Sequence, residues 1–287
     1  MSEPFAARLA ARTARVGSVL CLGLDPDPAG LPPGFSPDVA GVERFAALVL
    51  DAGLPWVAAV KANLAFFEAF GSAGLAALER LRARIPADVP FVADAKRGDI
   101  GSTAARHAAA LYDGLGADAV TASPYLGSTA IAPLLEREDR FVYLLCRTSN
   151  EGAGDIQDLV VGADLAAGWP AEAVHRRVAR LAEGWSAHYG TIGLVVGATA
   201  PRELAAIRET APGLPFLVPG LGAQGGDEAA VLASGGVRDG PWAERPGHGL
   251  LVSVSRGIAG AARATADPEA AVSEAAAGWS ARLAVLR

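Results

Sequence analysis

Phe91-Val92-Ala93-Asp94-Ala95-Lys96-Arg97-Gly98-Asp99-Ile100-Gly101-Ser102-Thr103 passes from an apolar run, through charged residues, to the start of an Ala-rich helical stretch. A strand, a polar strand end and a helix follow one another within a few residues, and the same unit recurs along the chain. Short apolar runs bounded by turn residues predict strands at Val19–Leu24, Trp56–Lys61, Phe91–Asp94, Ala119–Ala122, Phe141–Cys146, Ile192–Val196, Phe216–Val218 and Leu250–Val254. Helical periodicity fills Val39–Ala52, Leu64–Arg84, Thr103–Leu115, Ala171–Tyr189, Pro201–Glu209 and Asp227–Ala233, and a last helix is expected over Pro268–Leu286. Apolar strands that alternate with helices are buried on both faces, which means a parallel sheet covered by helices. Eight such units favour closure into a (β/α)8 TIM barrel, with residues 1–287 forming a single domain. An open doubly wound sheet is the alternative, weakened because no Gly-x-Gly-x-x-Gly follows the first strand.

Composition narrows the partners. The chain has 287 residues, 51% of them hydrophobic, enough for one large core. Its net charge of −6 speaks against a nucleic-acid binder, which would carry a basic stripe. A local basic cluster can still hold a small anion. No apolar run approaches the ~20 residues of a membrane span, so no membrane contact is expected and a cytoplasmic location is. Arg8, Arg12 and Arg15 read as one polar face of a helix leading into the first strand, in preference to a targeting segment. Cys21 and Cys146 lie in apolar runs and read as buried reduced thiols. His107, His175 and His188 fit helices and His248 a loop, without metal-ligand spacing. The chain also lacks a Gly-x-Ser-x-Gly elbow and a phosphate-binding P-loop.

Of 25 Lys and Arg residues only Lys61 and Lys96 are Lys. Arg serves wherever a generic cation is wanted, so the two lysines point to places where a compact ammonium that can give up a proton is needed.

In a barrel of this kind chemistry sits at the C-terminal strand ends. Asp25 ends the first strand, Lys61 and Asn63 the second, Asp94 and Lys96 the third. Ser123 follows the fourth, Thr148, Ser149 and Asn150 the fifth, Gln224 the seventh and Arg256 the eighth. Asp94 and Lys96 are two apart on an extended segment, which turns both to one face. They fit an ion pair at a barrel mouth as well as a reactive pair, and Asp99 fits a helix cap as well as a functional carboxylate. Pro219-Gly220-Leu221-Gly222-Ala223-Gln224-Gly225-Gly226 after the seventh strand, with Arg256-Gly257 after the eighth, has the make-up of a phosphate site. Glycines let backbone amides approach the oxygens and Arg can chelate two of them. Ser149–Gly154 opens a polar stretch reaching Gly168 that fits a lid or a plain surface insertion, and Ser234–Gly249 is an insertion given no function.

The segment Asp94-Ala95-Lys96-Arg97-Gly98-Asp99-Ile100 resembles the Asp-x-Lys-x-x-Asp-Ile signature of the orotidine 5′-phosphate decarboxylases. Further matches come in order: Leu22-Gly23-Leu24-Asp25-Pro26; Val60-Lys61-Ala62-Asn63 with Phe66-Phe67-Glu68, as in the longer bacterial form; the Gly-rich loop from Val218; and Ser253-Val254-Ser255-Arg256-Gly257-Ile258. The resemblance spans Leu20 to Ala259 and is thin between the fifth and sixth strands.

It implies decarboxylation of orotidine 5′-monophosphate to UMP, in pyrimidine biosynthesis, without metal or organic cofactor. Lys96 would protonate C6 of the pyrimidine, with Asp94 beside the departing carboxylate. Lys61 and Asp99 would complete an alternating charge array, Asp99 coming from the other subunit of a homodimer with shared active sites. Asn63 would belong to the substrate pocket, and Asp25 and Lys61 would touch the ribose hydroxyls. Ser149 would meet the pyrimidine amide edge. Gly220, Gln224, Arg256 and Gly257 would hold the phosphate, while Ile100 and Thr103 would reach into the partner's site. Loss of CO2 from C6 leaves a carbanion that a fixed ammonium stabilises and then protonates, a task for Lys and not Arg. Two rivals remain: a metal-dependent sugar-phosphate enzyme of the same barrel type, disfavoured by Ile100 after Asp99, and a silent nucleotide-binding barrel, disfavoured by the retained lysines and aspartates.

Overall fold

A computed structural model describes residues 3–222 and 224–285. Eight parallel strands close a barrel: β1 (Leu20–Leu24), β2 (Ala59–Asn63), β3 (Phe91–Arg97), β4 (Ala119–Ala122), β5 (Phe141–Arg147), β8 (Ile192–Val196), β9 (Phe216–Pro219) and β10 (Leu250–Val254). Each is a short apolar run that buries both faces, one toward the lumen and one toward the surrounding helices. β10 returns to β1, with Leu20 opposite Val252. Between β5 and β8 lies a two-stranded antiparallel hairpin, β6 (Val160–Val161) and β7 (Glu172–Ala173). Among the described residues no helix is long and apolar enough to cross a membrane.

Several boundaries differ from expectation for local reasons. β2 starts at Ala59, because Leu54–Trp56 forms a 3-10 turn with Pro55 in its first positions. The Leu64–Arg84 stretch is two helices, Ala65–Glu68 and Gly71–Arg84, broken where Gly71 takes φ +61°. The helix from Gly101 ends at Ala108 and passes into a π turn over Ala109–Gly114. The next long helix starts at Val174, since Glu172 and Ala173 pair with β6. The final helix runs Pro268–Arg282; Leu286, its expected end, lies outside the described residues, as do Met1 and Ser2.

The N-terminal helix Phe5–Val16 corrects the reading of its arginines. Only Arg15 is well exposed; Arg12 is 7% exposed and donates to the carbonyls of Leu54 and Val57 at 2.6 and 3.0 Å. Arg8 pairs with Asp118. The helix closes the N-terminal mouth of the barrel, so its polar side meets carbonyls and carboxylates of the rim. Its apolar side enters the lumen: the Phe5 ring stacks on Phe141 at 5.0 Å, and Trp242 meets Phe141 edge-on at 5.7 Å. The Ser234–Gly249 insertion thus supplies the aromatic plug of the floor. Both cysteines are buried free thiols, and burial pushes the Cys21 thiol up to about 12. His107, His175 and His188 sit on helices and His248 in the loop before β10.

Candidate active site

Strand parity delivers the polar residues to the upper lumen. On β1 and its end, Cys21, Gly23 and Asp25 share a side; on β2, Ala59, Lys61 and Asn63 do; on β10 and beyond, Leu251, Ser253 and Ser255 do. The lower members pack the floor, while the upper ones line a cavity of about 510 Å3 at the C-terminal strand ends. Asp25, Lys61, Asn63, Asp94, Lys96, Ser149, Gly220, Gln224, Arg256 and Gly257 all line it, so ten of the expected site residues are brought together. Leu145, Val195 and Leu217 form its apolar side.

The charged residues form one connected array. The ammonium of Lys61, 6% exposed, donates to Asp94 Oδ2 at 2.9 Å and lies 3.6 Å from Asp25 Oδ1. Asp94 Oδ1 accepts from Lys96 Nζ at 2.7 Å. Burial acts to raise the Asp94 pKa, but the charges of Lys61 and Lys96 outweigh it and hold this carboxyl well below the usual carboxylate range. Burial likewise opposes the charge of Lys61, and Asp25 and Asp94 outweigh it, lifting its pKa above that of an ordinary lysine. Both groups are therefore ionised at neutral pH. Lys96 is more accessible, with 47% of its side chain exposed to the cavity and its mouth.

Asp94 and Lys96 do meet on one face, but the segment is not regularly extended. Lys96 has φ +50°, in the left-handed region that side chains other than Gly rarely adopt. The β3–β4 register shifts between Ala93 and Arg97, so β3 bulges at the pair.

Across the cavity, Gly220 takes φ +101°, and a Cβ there would stand 2.8 Å from Gln224 Oε1 and 3.2 Å from the Ser149 Cβ. Gly at this position lets the loop turn tightly beside Ser149. Ala223 lies outside the described residues. Arg256 opens the short helix Arg256–Ala259, its guanidinium without a protein partner among the described residues and turned to the cavity.

Asp99, Ile100 and Thr103 are not part of this cavity. Asp99 Oδ1 accepts from the Ile100 amide at 2.7 Å, Ile100 is 65% exposed, and Thr103 is exposed on the helix Gly101–Ala108. In their own chain these residues do not line the cavity that holds the array of Asp94 and Lys61.

Two cavity residues escape the sequence reading. Thr121, inside the apolar run of β4, bonds both Asp94 and the backbone of Lys96. Gln157 clamps Thr148, accepting from its amide at 2.9 Å and donating to its hydroxyl at 2.9 Å. A hydroxyl at a lumen-facing parity position was the available signal for Thr121; nothing in the sequence marked Gln157. Among the described residues no three His, Cys, Asp or Glu side chains are placed to hold a metal ion.

Residues 18–275 match the model of the orotidine 5′-phosphate decarboxylase / HUMPS family. The chain belongs to that family. An orotidine 5′-phosphate decarboxylase of Roseiflexus castenholzii is 48% identical over 241 residues, covering 84% of this chain and 83% of its own. One of Herpetosiphon aurantiacus is 44% identical over 255 residues, 88% of each chain. The structure of Leishmania donovani OMP decarboxylase superposes with a TM-score of 0.78 at 39% identity, covering 97% of this chain and 98% of its own. The family and enzyme class that the central motif implied, a carboxy-lyase, therefore stand, and so does the barrel. Those two curated relatives are named as decarboxylases, which separates the chain from the sugar-phosphate rival.

Proposed function

We propose that this chain decarboxylates orotidine 5′-monophosphate to UMP, the whole barrel acting as one domain in the cytoplasm. The observation that carries the reading is the Asp25–Lys61–Asp94–Lys96 array in one cavity with the Gly220 loop and Arg256. The guanidinium of Arg256, with Gln224, Gly257 and loop amides, takes the phosphate. Asp25 and Lys61 meet the ribose hydroxyls, with Asn63 alongside; the Asn63 backbone N–H already donates to Asp25 Oδ1 at 3.2 Å and holds that carboxylate in place. Ser149 reads the amide edge of the pyrimidine. C6 and its carboxylate then lie over Asp94 and Lys96.

As the C–C bond breaks, its electron pair stays on C6 and CO2 leaves. The ammonium of Lys96, already charged and fixed, stabilises that pair without reorganisation and transfers its proton to C6. Asp94 disfavours the substrate carboxylate beside it and accepts from Lys96 Nζ at 2.7 Å, which aims the ammonium. Asp99, with Ile100 and Thr103, completes the array of a second subunit in a homodimer; its own-chain position outside the cavity supports this role.

The test follows the ultraviolet change on orotidylate loss, with and without exhaustive chelation. Equal turnover in both supports the reading. No turnover overturns it, and loss on chelation with recovery on adding Mg2+ would transfer the chain to metal-dependent chemistry.

A further inference from the structure

Opposite the β3 bulge stands one side chain that the reaction as outlined does not use. Val92 pairs with Ala119 and Ala93 with Val120, and the next pairing is Arg97 with Ala122. On the β4 edge Asp94, Ala95 and Lys96 therefore stand opposite Thr121 alone, where the ladder has no regular partner to offer them, although Asp94 still pairs with Asn63 on the β2 edge. The Thr121 hydroxyl fills the gap. It accepts from the Lys96 amide at 2.9 Å and donates to Asp94 Oδ1 at 2.7 Å. The same Oδ1 accepts from Lys96 Nζ at 2.7 Å. Backbone amide, hydroxyl, carboxylate and ammonium thus close a ring that begins and ends on Lys96.

We infer that Thr121 is a positioning residue for the proposed decarboxylation, holding Lys96 in its left-handed backbone conformation and aiming its ammonium through Asp94. The hydroxyl has a single proton; because it accepts from an N–H, that proton is committed to Asp94. The carboxylate's orientation is fixed by the same bond: with Oδ1 shared by Thr121 and Lys96, Oδ2 is left for Lys61 at 2.9 Å. Finally, a non-Gly residue at φ +50° persists only where its surroundings over-determine it, and Thr121 is 1% exposed and rigidly placed in β4. β-Branching adds to this by limiting the side-chain torsion that aims the hydroxyl.

The inference rests on the decarboxylase reading for its kinetic part and on geometry alone for the rest. Thr121→Val keeps the shape and removes the hydroxyl; Thr121→Ser keeps the hydroxyl. Expected for T121V is a fall in kcat of at least about thirtyfold with KM for orotidylate within about threefold, because binding groups are untouched and proton delivery is not. T121S should recover most of that loss. A purely structural threonine would lower the melting temperature and leave kcat and its ratio to KM in place, and that result overturns the inference. Should T121V fail to fold, T121A against T121S reads the same contrast. A crystal structure of T121V, or of T121A in that case, gives a readout independent of substrate. Lys96 leaving positive φ or losing its contact with Asp94 supports the role. Lys96 unmoved overturns it, even if the wild type turned out inactive on orotidylate, a result that by itself would sink only the substrate reading.

Discussion

Lys61 is held in a buried place by its two carboxylates: its ammonium donates to Asp94 at 2.9 Å and has Asp25 at 3.6 Å, with 6% of the side chain exposed. Asp94→Asn keeps the shape and removes the nearer charge, so a buried cation loses its main partner. Breaking such a pair costs about 3 kcal/mol or more, and loss of one preorganised charge lowers kcat by about 10²–10³. The pH dependence follows from the direction of the shifts. The folded carboxyl of Asp94 titrates below its unfolded value of about 3.9, so its contribution is complete above that pH and is lost as pH falls toward the folded value. Lys61 is the mirror case, its contribution complete below about pH 10 and lost as pH rises toward its raised folded value. Denaturation of wild type and D94N should differ by a constant amount between about pH 5 and 9 and by progressively less as pH falls from about 4 toward the folded value. A difference that persists into acid would mean that Asp94 stabilises by shape and not by charge. At the phosphate end, Arg256→Ala should lower kcat/KM by about 1.5–3 kcal/mol with orotidylate and much less with the nucleoside lacking phosphate. Equal losses on both would remove Arg256 from the phosphate. The Asp94–Lys96 encounter was legible from their spacing. The backbone of Lys96 was not, since nothing about a lysine signals positive φ. Thr121 was hidden because a β-branched residue in an apolar run looks like any strand former.

Elements decide which of these residues meet. Eight apolar runs with period-two parity place Asp25, Lys61 and Asp94 on one rim, and that much follows from strand geometry; Arg256 joins them from the short helix after β10. What the runs do not reveal is irregularity: the bulge in β3, the break at Gly71, or the π turn after Ala108. Each depends on a partner distant in sequence or on a single backbone angle. The connection after β5 is the clearest case. The short helix Gly154–Gln157 carries Gln157 back to Thr148. Arg147 at the end of β5 donates to both oxygens of Asp158, at 3.0 and 3.1 Å, and the His175 ring meets the Gln157 carbonyl at 2.9 Å. This stretch braces the strand end beside Ser149, more than a plain surface insertion would. Gln157→Ala removes two hydrogen bonds that hold the segment presenting Ser149. At about 1 kcal/mol net for each such bond, KM for orotidylate should rise by up to about thirtyfold with kcat changed far less. An unchanged KM would mean that Ser149 is placed by β5 alone.

At the scale of the whole molecule, an acidic chain concentrates its two lysines in one cavity and closes the opposite mouth with Phe5 and Trp242. The barrel was legible because eight repeats of one unit leave few other ways to bury so much apolar strand; the plug was not, because Trp242 lies in a segment without periodicity. We propose that the remaining site residues act through assembly. Asp99, Ile100 and Thr103 stand together outside the cavity of their own chain, with Ile100 65% exposed. Tyr125 and Leu126, in the loop after β4, are 86% and 52% exposed as well. If Asp99 acts across a two-fold interface, each site draws Lys96 from one protomer and Asp99 from its partner. Homodimers of Lys96→Ala and of Asp99→Ala should each be nearly inactive. In a mixed dimer one site carries both lesions and the other carries neither. Random exchange of equal amounts makes about half of all dimers mixed, and one of their two sites is intact, so about a quarter of wild-type activity should return. The two inactive variants would be unfolded together, refolded, checked for mixed dimers by differential tags, and assayed for orotidylate loss. Verified mixed dimers as inactive as their parents would place Asp99 in the service of its own chain, and the shared site would have to be given up.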